Sequence, residues 1–112
     1  MFDQLSQFDL HHRLADSEGV ALVMFTAPSC GACRHLRGVL DVLRRRHPQW
    51  QIFEVDAQRD IALVREFDVF HLPALFLFQA GQFHCPLHAE ASPNAIESAV
   101  GEALANPAEE AP

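Results

Sequence analysis

The feature that most restricts this chain is a close pair of cysteines set where one kind of structure gives way to another. Val20-Ala21-Leu22-Val23-Met24-Phe25 is a continuous apolar run, the pattern of a strand buried on both faces of a helix-covered sheet. A loop containing Pro28 follows, then Cys30-Gly31-Ala32-Cys33. From there to His47, Leu36, Val39, Leu40 and Leu43 recur at helical spacing while the arginines face elsewhere. The cysteines therefore open a helix that leaves a buried strand. Free N–H groups and the macrodipole at a helix N-terminus stabilise an anion. The thiolate, rather than the thiol, attacks a disulfide. A pair so placed has a physical reason to react. Cys30, at the more exposed position, is the expected nucleophile, and Cys33, one turn inside, the expected resolving thiol. Gly31 and Ala32 are small and leave a partner room to approach. Arg34 either adds positive potential on the face of Cys30 or is simply solvated.

The remaining elements follow from pattern. Apolar residues at Phe2, Leu5, Phe8 or Leu10, and Leu14 predict a helix over 2–14. Trp50 to Val55 alternates and predicts a strand. Asp56 to Phe67 predicts a short helix with Ile61, Val64 and Phe67 on one face. Ala74-Leu75-Phe76-Leu77-Phe78 predicts a strand, and Ala80-Gly81 a tight turn into a partner strand over 82–87. Ser92-Pro93 starts a last helix, with Ser as cap and Pro at the first position. The expected fold class is α/β: a central mixed β-sheet flanked by helices on both faces. One domain over residues 1–105 is expected, with a flexible acidic tail over 106–112.

Composition narrows the function. The formal net charge is -7, with eight Lys plus Arg in 112 residues, all of them Arg. One basic run, Arg44-Arg45-Arg46, cannot neutralise phosphates across a face, so no nucleic-acid partner is expected. No apolar run approaches the ~20 residues of a membrane span, and the N-terminus lacks the basic and apolar regions of a signal peptide. Three cysteines do not suit a secreted disulfide framework. The expectation is a monomer in a reducing cytoplasm, where a close cysteine pair is catalytic or metal-binding.

Zinc is the structural alternative, because Cys85 and His88 would offer a second half-site. Both fall on the expected edge strand rather than on a second knuckle, so the expected metal set is none. Cys85 reads as a small buried hydrophobe. Most of the histidines, His11, His12, His35, His47, His84 and His88 among them, read as solvent-facing.

Two segments resemble a known family. Phe25-Thr26-Ala27-Pro28-Ser29-Cys30-Gly31-Ala32-Cys33-Arg34 is similar to the active-site segment of thioredoxin-like proteins, and Leu72-Pro73-Ala74-Leu75-Phe76-Leu77-Phe78-Gln79-Ala80-Gly81-Gln82 to their proline loop and hairpin. The resemblance covers about Val20 to Leu104 and is that of a divergent bacterial relative. It implies a thioredoxin-like fold, a cis-proline at Pro73 facing the cysteines, and a substrate peptide lying against Ser29, Gly31, Ala32, Leu72 and Pro73. It implies a protein thiol–disulfide oxidoreductase whose only redox centre is the Cys30–Cys33 disulfide, with no other cofactor. Its partners would be protein disulfides and a reductase or other thiol donor.

Four departures stand out. Met24 occupies the position of the family's buried Asp, Ser29 and Thr26 those of two Trp residues, and Ala32 that of a Pro. His71 is the candidate to serve Cys33 in place of the missing acid, against the plain reading of a surface loop residue. Gly38 stands where many relatives bend this helix with Pro. The alternative functions are a binding module or chaperone for one dedicated partner, and a zinc-binding interaction domain.

Overall fold

The computed structural model describes residues 2–112. Its elements are β1 (Asp3–Leu5), α1 (Leu10–Ala15), β2 (Val20–Thr26), α2 (Gly31–Arg46), β3 (Gln51–Asp56), α3 (Ile61–Glu66), β4 (Ala74–Gln79), β5 (Gln82–Leu87) and α4 (Pro93–Leu104). The sheet runs β1-β3-β2-β4-β5. β1, β3 and β2 are parallel, while β4 and β5 are antiparallel to their neighbours. This is the expected mixed sheet.

Two apolar layers enclose it. On one face Leu22, Met24, Ile52 and Leu77 pack with Leu36, Val39, Leu40 and Leu43 of α2 and with Ile96 and Val100 of α4. On the other, Val23, Phe25, Phe53, Phe76 and Phe78 pack with Leu10 and Leu14 of α1 and with Leu63 of α3. The continuous run in β2 is explained by this arrangement: residues 21–26 are buried whichever face they point to. Phe25, Phe67 and Phe76 meet with ring centroids 5.2–5.7 Å apart in tilted and edge-on arrangements, a favourable aromatic geometry.

Three expectations need correction. Residues 2–14 are not one helix: Asp3–Leu5 pairs in parallel with Phe53–Val55, and a turn separates it from α1. In that turn Asp9 Oδ1 accepts the Ser6 N–H at 2.7 Å, a local bond that competes with helix. Three residues are too few to display a strand period, and Phe8 is 84% exposed. β3 does not alternate in burial. It lies between two strands and buries Ile52, Phe53, Glu54 and Val55 consecutively, and Trp50 precedes it. α3 begins at Ile61 rather than Asp56, because Asp56 Oδ1 accepts from the N–H groups of Gln58 and Arg59 and holds a turn there. Leu63 and Phe67 are its buried contacts, and Ile61 faces solvent.

The hairpin forms at the expected dipeptide. Ala80 and Gly81 both have positive φ, 52° and 80°, as a two-residue turn of the mirror-image kind requires. A bulge follows on β5, where Leu77 pairs with Cys85 and Phe78 with Phe83. His84 is the extra residue. It is buried rather than solvent-facing, and its Nε2 lies 2.6 Å from the Ala103 carbonyl. Residues 107–112 have no regular structure and are exposed, though the Glu109 N–H donates to the His84 carbonyl at 2.7 Å.

Candidate active site

β2 delivers the chain to the cysteines. Its last residue is Thr26, Ala27–Ser29 form the loop, and Cys30 is the N-cap of α2. Cys30 has an extended backbone, and its Sγ accepts the N–H of Cys33 at 3.1 Å. That is the capping position, where a side-chain acceptor satisfies a free N–H of the first turn. Cys30 and Cys33 are joined in a disulfide with Cα atoms 5.2 Å apart. Cys33 is wholly buried, while Cys30 is half-buried between exposed Ser29 and exposed Gly31 and Ala32. Cys33 thus lies deeper in the fold than Cys30.

The β2–β4 register brings the proline loop to the same edge. Phe25 pairs with Ala74, so Leu72 and Pro73 emerge beside the loop that carries the cysteines. The Leu72–Pro73 peptide bond is cis. Leu72 and Pro73 are half-buried and His71 is exposed. Next to them a cleft of about 480 Å³ is lined by Phe70, His71, Pro73, Leu75, Leu87 and Ile96, among others. Arg34 folds back toward the cysteine turn: its Nη2 lies 3.7 Å from where a side chain on Gly31 would begin.

Met24, at the position of the family's acid, is fully buried in the layer under α2. Its register partner on β3 is Glu54, a buried carboxylate that sequence reading passed over. Glu54 Oε2 accepts from Thr26 Oγ1 at 2.6 Å and from Arg37 at 2.7 and 2.9 Å. Arg37 therefore does not face away from the core: the carboxylate, by hydrogen bond and charge, holds it firmly protonated. One signal was available, a lone Glu inside the run Ile52-Phe53-Glu54-Val55, since carboxylates are rarely buried without a partner.

Cys85 lies in the same apolar layer as Met24, and burial pushes its thiol up from the ordinary range. The zinc alternative needs Cys85 and His88 to close on the pair. Among the described residues no three His, Cys, Asp or Glu side chains are grouped to hold a metal ion.

A strand-loop-helix bearing a half-buried and a buried cysteine joined as a disulfide, beside a proline loop, defines a thiol–disulfide oxidoreductase. The family model described as Thioredoxin matches residues 2–102, and the chain belongs to that family. It is 34% identical over 70 residues to the thioredoxin of Chlamydia trachomatis, across 61% of this chain and 69% of that one. It is 36% identical over 62 residues to thioredoxin domain-containing protein 2 of Rattus norvegicus, across 55% of this chain. The chain spans only 11% of that rat protein. Among solved structures, one described as the structural basis of the thiol resolving mechanism in yeast mitochondrial 1-Cys peroxiredoxin superposes with a TM-score of 0.79 at 19% identity, covering 90% of this chain and 94% of that one. Human ERp44 in its zinc-bound form superposes with a TM-score of 0.75 at 21% identity, covering 91% of this chain and 32% of that one. These two likenesses concern the fold. No helix among the described residues is long and apolar enough to cross a membrane.

Proposed function

We propose that the chain reduces or exchanges disulfides of protein substrates, with Cys30 as nucleophile and Cys33 as resolving thiol. The carrying observation is the asymmetry of the pair: Cys30 is the half-buried N-cap of a 16-residue helix, and Cys33 lies wholly buried one turn behind. In the reduced protein the Cys30 thiolate attacks one sulfur of the substrate disulfide. The Cys30–substrate S–S bond forms, the substrate's own S–S bond breaks, and the second substrate sulfur leaves as a thiolate that takes up a proton. Cys33, having lost its proton, then attacks Cys30 Sγ. The mixed disulfide breaks, the remaining substrate thiol departs, and the protein holds the Cys30–Cys33 disulfide.

The substrate strand runs beside Leu72 and Pro73 and touches Ser29, Gly31 and Ala32, whose small or absent side chains leave the sulfur open. Arg34 adds positive potential beside Cys30. No further cofactor takes part: electrons return from a reductase or another thiol donor in a reducing cytoplasm, and residues 1–105 act as one monomeric unit, with residue 1 lying outside those described. Phe70, 83% exposed beside the cleft, supports a second reading in which a dedicated partner docks there. Insulin reduction by dithiothreitol tests the main reading. The wild-type chain accelerates it and Cys30→Ser does not; equal background rates for both would remove the enzyme reading. A Cys33→Ser trap that captures one protein rather than many would favour the dedicated partner.

A further inference from the structure

A buried charged network lies under the cysteine loop, and the exchange steps make no use of it. Glu54 is only 5% exposed. Its Oε2 gathers Thr26 Oγ1 and two nitrogens of Arg37, and Arg37 Nη2 also reaches Thr26 Oγ1 at 3.3 Å. The three side chains come from β3, β2 and α2. Thr26 is four residues before Cys30. Arg37 is four residues after Cys33 on the same helix, so the two are i,i+4 neighbours with Cβ atoms about 5–6 Å apart. The Glu54 side chain is 7% exposed and that of Arg37 34%, so water screens the carboxylate poorly and the guanidinium in part.

A buried ion pair of this kind brings no assured gain in stability over apolar side chains of the same volume. Its effect on a neighbouring thiolate is more definite. Paired, the two charges cancel one helical turn from Cys33. With the carboxylate gone, a guanidinium that cannot lose its proton would favour the thiolate, and hence the reduced form. The other charges around the cysteine loop are placed differently. Arg34 is exposed on α2, and His71 is exposed on the proline loop. Asp56, at the end of β3, is taken up by backbone N–H groups of its own turn.

We propose that the Glu54 carboxylate, by neutralising Arg37 one helical turn from Cys33, sets the balance between the disulfide and dithiol forms of the Cys30–Cys33 pair. Glu54 is then a positioning residue that acts through Arg37. The inference rests on the thiol–disulfide reading of the site.

Equilibration with glutathione tests it at pH 7. Two glutathione thiols give two electrons and two protons to the Cys30–Cys33 disulfide, which becomes a dithiol, and glutathione disulfide leaves. The readout is the equilibrium constant for that exchange. Glu54→Gln is expected to shift it about threefold to tenfold toward the dithiol. The double variant Arg37→Met/Glu54→Gln, lacking both charges, is expected to return within about twofold of wild type. Thr26→Val, which keeps the ion pair and loses a hydroxyl, should also stay within about twofold. If Glu54→Gln fails to fold, as judged by circular dichroism, Arg37→Gln carries the test with a shift toward the disulfide. A constant that Glu54→Gln leaves unchanged, or that the single and double variants shift alike, overturns the proposal. Failure of the wild-type pair to exchange with glutathione at all would instead remove the thiol–disulfide reading.

Discussion

The backbone N–H of Cys33 points at Cys30 Sγ across 3.1 Å. It is a donor of the first turn of α2, and no intrahelical carbonyl competes for it. In the reduced protein the same donor faces a thiolate that forms at Cys30, and the helix macrodipole adds to the attraction. Cys85 has the opposite setting: it is buried in an apolar layer, and burial together with the nearby Glu109 pushes its thiol up. Reduced native protein treated with iodoacetamide at neutral pH should therefore be alkylated first at Cys30, while Cys85 is protected until the chain is denatured. Peptide mapping after brief labelling checks this, and early label on Cys85 would contradict it.

Two glycines make a contrasting pair. Gly38 lies within α2, and a side chain added there meets nothing within 4 Å. Gly38→Ala should stabilise the protein by about 1 kcal/mol, through helix propensity alone. Gly81 has a φ of +80°, and an added Cβ would stand 2.7 Å from the Ala15 carbonyl oxygen. Gly81→Ala should cost about 2 kcal/mol or more, from strain plus the clash. Urea unfolding of both variants tests the pair, with the midpoint rising for the first and falling for the second.

Phe67 joins α3 to the sheet through rings at 25, 76, 78 and 83. Phe67→Ala leaves a cavity among four aromatic rings and should cost about 3–5 kcal/mol. Thermal unfolding reads the loss. A midpoint within a few degrees of wild type would mean that this layer collapses around the gap.

Three carboxylates carry a pH dependence whose sign is fixed by their partners. The backbone N–H of Ser6 holds Asp9 below the usual range, hydrogen bonds from Arg45 and Arg44 do the same for Asp41, and the His47 hydrogen bond does so for Glu97. Their folded values lie below the unfolded ones of about 3.9 for Asp and 4.3 for Glu. The unfolded chain thus binds more protons as the solution becomes acidic. Stability from these groups is full above about pH 4 and is lost below it, as pH falls through the folded values. All three are half-exposed, in reach of water and ions, so added salt should shrink the effect. Urea midpoints between pH 6 and pH 2.5 test this, and a midpoint that rises on acidification would contradict it.

Elements with a long period or a strong local signal were legible in the sequence. β2 announces its double burial through six apolar residues, α2 through its stripe of Leu and Val, and the hairpin through Ala80-Gly81. β1 was not legible, because its three residues owe their conformation to pairing with Phe53–Val55, which no local pattern encodes. The cysteine pair could be placed at a helix N-terminus from sequence because that depends on neighbours in the chain. Glu54, Thr26 and Arg37 could not be joined, since their sequence separations are 28, 17 and 11 residues and they meet only through the pairing of β3 with β2 and the packing of α2 on that face of the sheet.

Trapping of the mixed disulfide tests the central claim most directly. Reduced Cys33→Ser protein is mixed with a peptide containing one disulfide, quenched with acid and mapped by mass spectrometry. The account predicts a stable adduct on Cys30 that wild-type protein resolves to its own Cys30–Cys33 disulfide. An adduct confined to Cys85, or none on Cys30 under conditions where free cysteine reacts, would contradict it.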